Sequence, residues 1–254
     1  MRTALLRRRR RGPSLPADLV ALLGQDPSDL APLFPPYTYQ DPAATIPAIL
    51  GDPVGGVRGV DGQVIAVCPD DSARGVVTVG EGGLLGVLMG TDDYLLMVGF
   101  QYATQPFTSI AKLRRTTNST GVLLGWSTVD EPNGGHNFIQ VVGGTNAIGR
   151  VAGTISGSTA TLSNGETAVL SIRSQGAGGT YTYHKNGVAI RSDPVGTIVP
   201  DSTSPAIIGG RYDPVIGGVS PTSSPAAGWF RFWAGWDRLL TEQEQLDAIS
   251  GALS

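Results

Sequence analysis

The sequence predicts an all-β fold, a two-sheet antiparallel β-sandwich with an extended N-terminal arm and a short C-terminal helix. From Gln63 onwards, about a dozen short apolar runs are separated by Gly, Asn, Asp, Ser and Pro clusters, a spacing typical of a sandwich. The composition agrees, because 36 glycines and 18 prolines suit tight turns while 41% apolar residues can fill a sizeable core. Charged residues make up only 15% of the chain, below the usual share of about 25%.

The N-terminus carries a basic arm. Arg2 and the arginine run at 7–11 all precede the first acid, Asp18, so the net charge of −3 hides a positive arm joined to an acidic body. Residues 15–25 have leucines at the spacing of one helix face, and we expect residues 1–25 to form the arm and a short helix. The arm residues predicted to bind a partner are Arg7, Arg8, Arg9, Arg10 and Arg11.

Residues 26–62 are rich in proline, at positions 27, 32, 35, 36, 42, 47 and 53. Proline at this density argues against regular helix and central strands. Apolar residues such as Leu33, Phe34 and Ile49 are interleaved with the prolines, which is not typical of a free linker. We expect an extended anchoring segment that is pinned along a surface of this chain or of a neighbour. The sandwich is then predicted over residues 63–254.

Short motifs predict two hairpin turns and the last helix. Asn186-Gly187 suits a type I′ turn between two strands, and the Ser-Asn-Gly stretch at 163–165 gives a second signal of the same kind. Thr241 and Glu244 have the spacing of a capping box, which begins a helix. Gly251 is the expected end of that helix.

The strand at 228–236 holds three of the four tryptophans, and its alternation assigns them to two faces. The more uniformly apolar face is predicted to point into the core, with Trp236 closing it, and comprises Phe230, Phe232, Ala234 and Trp236. The other face is predicted either to meet a partner or a glycan or to be packed beneath another segment of the chain, and it carries Trp229, Arg231 and Trp233.

The residues that catalysis or metal binding would need are not found in a usable pattern. A glycoside hydrolase of this architecture requires carboxylates that alternate on one strand, and no predicted strand carries them. We therefore predict no enzyme and no catalytic residue. Cys68 is a single cysteine and is expected in the core, while His136 and His184 are far apart and are interpreted as surface residues. No apolar run approaches the roughly 18 residues of a membrane span.

Three stretches resemble the concanavalin A-like, laminin-G-like jelly rolls. They are the hairpin region at 167–190, "AIIGGRYD" at 206–213, and "WDRLLTEQEQL" at 236–246. The resemblance implies a jelly-roll sandwich closed by the C-terminal helix. Some relatives of this fold bind calcium through loop acids, which leaves calcium as a less favoured alternative to no cofactor. The loop acids available for it are Asp92, Asp93, Asp130 and Asp213.

Residues 26–55 resemble a segment that precedes such jelly rolls in tailed-phage proteins, with "PPYTYQ" inserted. Matching positions include the runs at 26–30 and 51–55 and the residues Asp41, Thr45 and Pro47. The resemblance implies a structural virion protein, either a capsid decoration protein or a neck, tail or baseplate component. Its expected location is the virion, assembled in the host cytoplasm. Other virion proteins and further copies of the chain are its expected partners.

Alternatives stay open for the arm and for the sandwich. The arginine run suits docking on an acidic protein surface, neutralisation of nucleic-acid phosphates, or solvation, and the first is favoured. The second function hypothesis is a carbohydrate-binding module for adsorption to a host surface glycan, with Trp126 and the loop at 126–137 in its site. A glycoside hydrolase is the third, opposed by the missing carboxylates.

Overall fold

The computed structural model describes residues 15–98, 106–117, 121–126, 136–141, 161–176, 179–194, 206–209, 212–213, 218–219 and 227–253. For 121–126, 136–141, 193–194, 212–213 and 218–219, the description covers the backbone. The arginine run at 7–11 lies outside these ranges.

The described elements are mostly strands, with one helix towards each end. The helices are α1 (Ala17–Leu23) and α2 (Glu242–Leu253). The strands are β1 (Asp29–Pro32), β2 (Thr38–Tyr39), β3 (Gly56–Arg58), β4 (Val64–Val67), β5 (Val76–Val79), β6 (Leu85–Met89), β7 (Leu95–Met97), β8 (Phe107–Arg115), β9 (Gly121–Trp126), β10 (His136–Val141), β11 (Thr167–Ser174), β12 (Thr180–Lys185), β13 (Val188–Pro194), β14 (Ile207–Ile208), β15 (Tyr212–Asp213), β16 (Gly218–Val219) and β17 (Gly228–Trp236).

Two antiparallel sheets form the sandwich, as the sequence predicts. The first sheet has the order β13-β12-β11-β8-β17-β6-β5, and β1 pairs with the far end of β17. The second sheet has the order β10-β9-β14-β7-β4-β3-β2, and the short pair β15-β16 stands apart. Residues from the facing sides of both sheets form one apolar cluster, the main core. It includes Val87, Leu113, Leu170, Phe230 and Trp233 from the first sheet and Val57, Ala66, Leu95 and Ile208 from the second.

A second apolar cluster, the helix-side core, covers the outer face of the first sheet. It joins the sheet residues Ile110, Val169, Phe232, Ala234 and Trp236 to Leu19 and Leu22 of α1 and to Ala248, Ile249 and Ala252 of α2. Burial of a leucine-sized side chain contributes about 1.5–3 kcal/mol, so this layer is a substantial part of the fold. The central strands of the first sheet, β11, β8 and β17, are thus buried on both faces, by the second sheet and by the helices.

The two helices approach closely at a glycine. A Cβ at Gly251 would lie 1.9 Å from the Cβ of Ala21, so only glycine fits where α2 meets α1. The prediction that Gly251 ends the last helix is wrong, because α2 continues to Leu253. This glycine serves helix packing, which is a tertiary contact that the local pattern of a helix end does not reveal.

The proline-rich segment is built into both sheets. Its strand β1 pairs with β17, with Asp29 opposite Gly235, while β2 and β3 belong to the second sheet. Pro32 ends β1, where a missing N–H costs little. The segment is therefore pinned along its own chain, and the boundary drawn at residue 63 does not separate it from the sandwich.

The short motifs have the expected geometry. Asn186 and Gly187 both have positive φ, 51° and 85°, between β12 and β13. The Thr241 N–H donates to Glu244 Oε2 at 2.7 Å, and the Glu244 N–H donates to Thr241 Oγ1 at 3.2 Å, which is the predicted capping box. At 163–165 there is a turn, in which the Glu166 N–H donates to the Ser163 carbonyl at 3.1 Å. Residues 142–160, which precede it, lie outside the described part of the chain.

Candidate binding site beneath the C-terminal helix

A bulge in β17 reverses the predicted assignment of its faces. Phe230 lies opposite Leu113 and Phe232 lies opposite Lys112, so Arg231 is an extra residue in the ladder. Beyond this point each side chain points to the face opposite to that predicted. Trp233 consequently lies in the main core, while Phe232, Ala234 and Trp236 lie in the helix-side core. The prediction that Phe230, Phe232, Ala234 and Trp236 share the sandwich core is wrong for the last three.

Arg231 is held within the chain by α1 and its neighbours. Its side chain is 5% exposed, its Nε donates to Asp18 Oδ2 at 3.0 Å, and its Nη1 donates to the Leu85 carbonyl at 2.7 Å. The guanidinium also lies 3.5 Å from the ring centroid of Phe34, a cation–π contact. A buried charge of this kind is tolerated because it is both paired and hydrogen-bonded.

The two tryptophans beside Arg231 are buried as well. Trp229 and Trp233 are each 1% exposed, and Trp233 Nε1 donates to Ser109 Oγ at 2.9 Å. The sequence left two interpretations of this face, contact with a partner or glycan, or packing beneath another segment of the chain. The structure agrees with the second, because Trp229, Arg231 and Trp233 are all buried within their own chain. Trp229 differs from the other two because it lines a cavity.

For the other predicted binding residues, Trp126 and the arginine run, the structure describes only the backbone of Trp126. Trp126 ends β9 opposite His136, and its side chain lies outside the described part of the chain. The loop at 127–135 and Arg7, Arg8, Arg9, Arg10 and Arg11 also lie outside it. A glycan site around Trp126 and partner binding by the arm thus stay predictions.

The cavity, which we call the α2 cavity, has a volume of about 270 Å³. It lies between the outer face of the first sheet, the turn at 81–84 and the last residues of α2. Its lining consists of Glu81, Gly82, Leu84, Lys112, Thr167, Ala168, Val169, Trp229 and Leu253. The strand registers explain the arrangement, because Arg114 lies between Thr167 and Trp229, and Lys112 lies opposite Val169 in the next row.

Lys112 is the cation of the cavity wall, and Glu81 is its acid. It is 7% exposed, and its Nζ donates to the Ala252 carbonyl at 2.7 Å, where a cation stabilises the C-terminal end of α2. Burial lowers the pKa of Lys112, while the carboxylates of Asp18 and Glu81 act in the opposite direction. Within the described residues Lys112 forms no ion pair, since Asp18 is already bound to Arg231.

Two further donors in the wall are buried without an acceptor in the described structure: Trp229 Nε1 and Thr167 Oγ1. The indole ring lies directly against the backbone of β6 and its preceding turn. A Cβ at Gly80 or Gly86 would approach the ring to 2.3 or 2.4 Å, so glycine at both positions makes room for Trp229. Apart from the exposed Glu81 carboxylate, the polar groups of the cavity wall are therefore an ammonium, a hydroxyl and an indole N–H.

The sequence reasoning missed Lys112 and Thr167. A signal was available, because Lys112 and Arg114 occupy alternate positions of a strand and so share one face. In the two-layer sandwich expected from the sequence, that face is exposed to solvent, where charged side chains are common and do not indicate a site. In the structure α2 covers this face at Lys112, whose Nζ donates to the Ala252 carbonyl.

The described residues contain no group of three His, Cys, Asp or Glu side chains that could hold a metal ion. Of the loop acids considered for calcium, Asp93 accepts a hydrogen bond from the Gly90 N–H at 2.7 Å and Asp92 is exposed. Asp130 lies outside the described ranges, and Asp213 is described by its backbone. Among those same residues, no helix is long and apolar enough to cross a membrane.

Cys68 and His184 are both buried. The core position of Cys68 is confirmed, and burial raises the pKa of its thiol to about 11. The surface interpretation of His184 is wrong, because its Nδ1 lies 3.2 Å from Gln245 Nε2 under α2. Burial, and then the Arg173 cation, lower the pKa of His184, so it is neutral at physiological pH.

Comparisons with known proteins show a shared fold. No family model and no curated protein matches the sequence. Trypanosoma rangeli sialidase is similar in structure, with a TM-score of 0.51 and 15% identity over 92% of this chain and 38% of that one. A mutant of the same sialidase displaying trans-sialidase activity has a TM-score of 0.51 and 14% identity, over the same 92% and 38%.

Two other proteins are similar at lower scores. The binding domain of Paraclostridial Mosquitocidal Protein 1 has a TM-score of 0.48 and 13% identity over 76% of this chain and 50% of that one. The native heptameric SAP-like pentraxin from Limulus polyphemus has a TM-score of 0.41 and 15% identity over 63% and 75%. This chain spans half or less of the sialidase and mosquitocidal chains. At such identities the likeness to the two sialidase structures, each with a TM-score of 0.51, shows the fold alone, a jelly-roll-type β-sandwich.

Proposed function

We propose that this chain is a non-catalytic structural component of a tailed-phage virion, attached to its neighbours by the basic arm. The observation that carries the proposal is the anchorage of α1, which directly follows the arm. Leu19 and Leu22 are fully buried, and Asp18 is paired with Arg231 of the central strand β17. The helix that follows the arm in the sequence is thus packed onto the sandwich.

The charge distribution supports protein docking by the arm. The arm is positive while the body that follows carries nearly all of the 21 acidic groups, so the arm of one copy suits the body of the next. Such complementarity favours an oligomer and gives docking that weakens as salt rises. The virion setting itself is supported by the sequence resemblance of residues 26–55.

Neutralising the arm tests this proposal. Replacing Arg7–Arg11 together by glutamine should sharply reduce incorporation of the full chain into particles while leaving its melting temperature unchanged. The matched control replaces the same five residues by lysine, which retains the charge and should retain most of the incorporation. Equal incorporation of the glutamine variant and the natural chain would refute docking by the arm.

The same particles can distinguish protein from nucleic acid as the surface that the arm contacts. If the arm docks on protein, raising the salt concentration should release the chain, and nuclease treatment should not. Release by nuclease at low salt would assign the arm to nucleic acid and contradict docking on an acidic protein surface.

A further inference from the structure

Three residues of the α2 cavity lining carry hydrogen-bond donors, and two of these donors lack an acceptor in the described structure. Trp229 Nε1 and Thr167 Oγ1 are buried with no acceptor in the described structure, and the Lys112 ammonium has one hydrogen bond, to the Ala252 carbonyl. A buried donor without an acceptor costs about 1–3 kcal/mol. A ligand that brings acceptor atoms into the cavity would remove this cost.

The charges around the cavity favour an anion. Lys112 and Arg114 share the outer face of β8, and neither has an ion-pair partner in the part of the chain that the structure describes. The buried acid nearby, Asp18, is bound to Arg231 at 3.0 Å. Glu81 is the remaining acid of the lining, and it is exposed at the mouth. The buried charge of the lining is therefore that of Lys112, and the exposed Glu81 carboxylate offsets it in part.

The rest of the wall decides which kind of anion fits. Leu84, Val169 and Leu253 are apolar, and a volume of about 270 Å³ is smaller than the roughly 300–1,000 Å³ of sites for drug-sized ligands. A strongly hydrated inorganic anion would gain nothing from these side chains. We propose that the α2 cavity binds a small organic monocarboxylate, whose carboxylate accepts hydrogen bonds from Lys112 and Thr167 while its apolar body packs against the three apolar residues.

A purely structural role of Lys112 is the competing explanation. In that role the ammonium only stabilises the end of α2, and its removal would lower stability without changing any binding. Arg173 offers a matched control, because it also lies beneath α2 and donates from Nη2 to a backbone carbonyl, that of Leu240, at 2.7 Å. It does not belong to the cavity lining.

The test is an NMR titration of the full chain with sodium hexanoate and, separately, with hexanamide. Hexanoate should bind saturably with a dissociation constant of about 1 mM or below, and hexanamide about tenfold more weakly, since it lacks the charge-assisted hydrogen bonds. The backbone amide signals of residues 81–84, 167–169 and 253 should shift together.

Variants connect the binding to the named donors. Thr167→Val keeps the shape and should weaken hexanoate binding about threefold or more, and Lys112→Met should weaken it about tenfold or more. Arg173→Met should change the affinity less than about twofold. Equal affinity for hexanoate and hexanamide, or unchanged hexanoate binding in Thr167→Val and Lys112→Met, would overturn the proposal.

Discussion

At the scale of single residues, Asp29 is placed where its charge is unfavourable. It lies at the start of β1, close to two other acids. Burial, followed by the carboxylates of Asp237 and Asp61, raises its pKa to about 6. In the unfolded chain an aspartate titrates near 3.8, so folding favours the protonated form of Asp29. Its contribution to stability is complete below pH 3.8 and is lost as the pH rises towards 6.

Replacing Asp29 by asparagine should therefore stabilise the protein in a pH-dependent way. The asparagine carries no charge at any pH, so the free energy of unfolding at pH 7 should rise relative to the natural chain, with little difference at pH 4. Urea denaturation across this pH range measures the effect. The exposed Asp92→Asn is the control and should show no such difference. An equal gain for Asp29→Asn at both pH values would disprove the assignment.

Single residues also show where sequence reasoning succeeds. The capping contacts of Thr241 and Glu244 and the positive φ of Asn186 were predictable because each depends on residues a few positions away. Lys112 was not recognised as a site residue because its environment is made by α2, some 140 residues further along the chain. The separation in sequence between contacting residues, more than the type of residue, therefore decides what can be predicted.

At the scale of elements, the bulge in β17 decides the role of its aromatic residues. The strand was predictable as a strand, and its alternation is visible in the sequence. The insertion of Arg231 depends on the register with β8, so it could not be read from β17 alone. The bulge brings Arg231 towards α1, where Asp18 pairs with it. The reversal of faces and the anchorage of α1 thus have the same origin.

Breaking the Asp18–Arg231 pair should be costly from either side. Both side chains are 5% exposed, so removing one partner leaves a buried charge, at a cost of about 3–5 kcal/mol. We expect Asp18→Asn and Arg231→Met each to lower the free energy of unfolding by such an amount in urea denaturation. The double variant should lose less than the sum of the two.

The half-exposed ion pair of Arg238 and Glu244 is the control for the buried pair of Asp18 and Arg231. Arg238→Met should cost about 1 kcal/mol or less, because solvent screens an exposed pair. If the two single variants of the buried pair are as mild as Arg238→Met, or if their effects simply add, then the pair does not hold α1 on β17.

At the scale of the whole molecule, the N-terminal segment is a structural layer of the sandwich. Leu30 and Phe34 lie in the helix-side core, and β1 pairs with a strand about 200 residues away in the chain. The prolines concealed these strands from sequence reasoning, because a short strand can end at a proline while a long central one cannot. The sandwich was predictable as an architecture, and its true N-terminal limit was not.

Two truncations separate the arm from this layer. Removal of residues 1–14 should leave cooperative unfolding at nearly the natural melting temperature, because α1 and β1 are retained. Removal of residues 1–33 should prevent stable folding, because it deletes Leu19, Leu22 and Leu30 and uncovers Trp236, a loss of several kcal/mol at about 1.5–3 kcal/mol per buried side chain. Calorimetry and the near-ultraviolet circular dichroism of the tryptophans would report both effects. Equal melting temperatures for the two truncations would mean that residues 15–33 contribute little to stability. In that case the larger deletion could replace the arginine variants in the test of assembly.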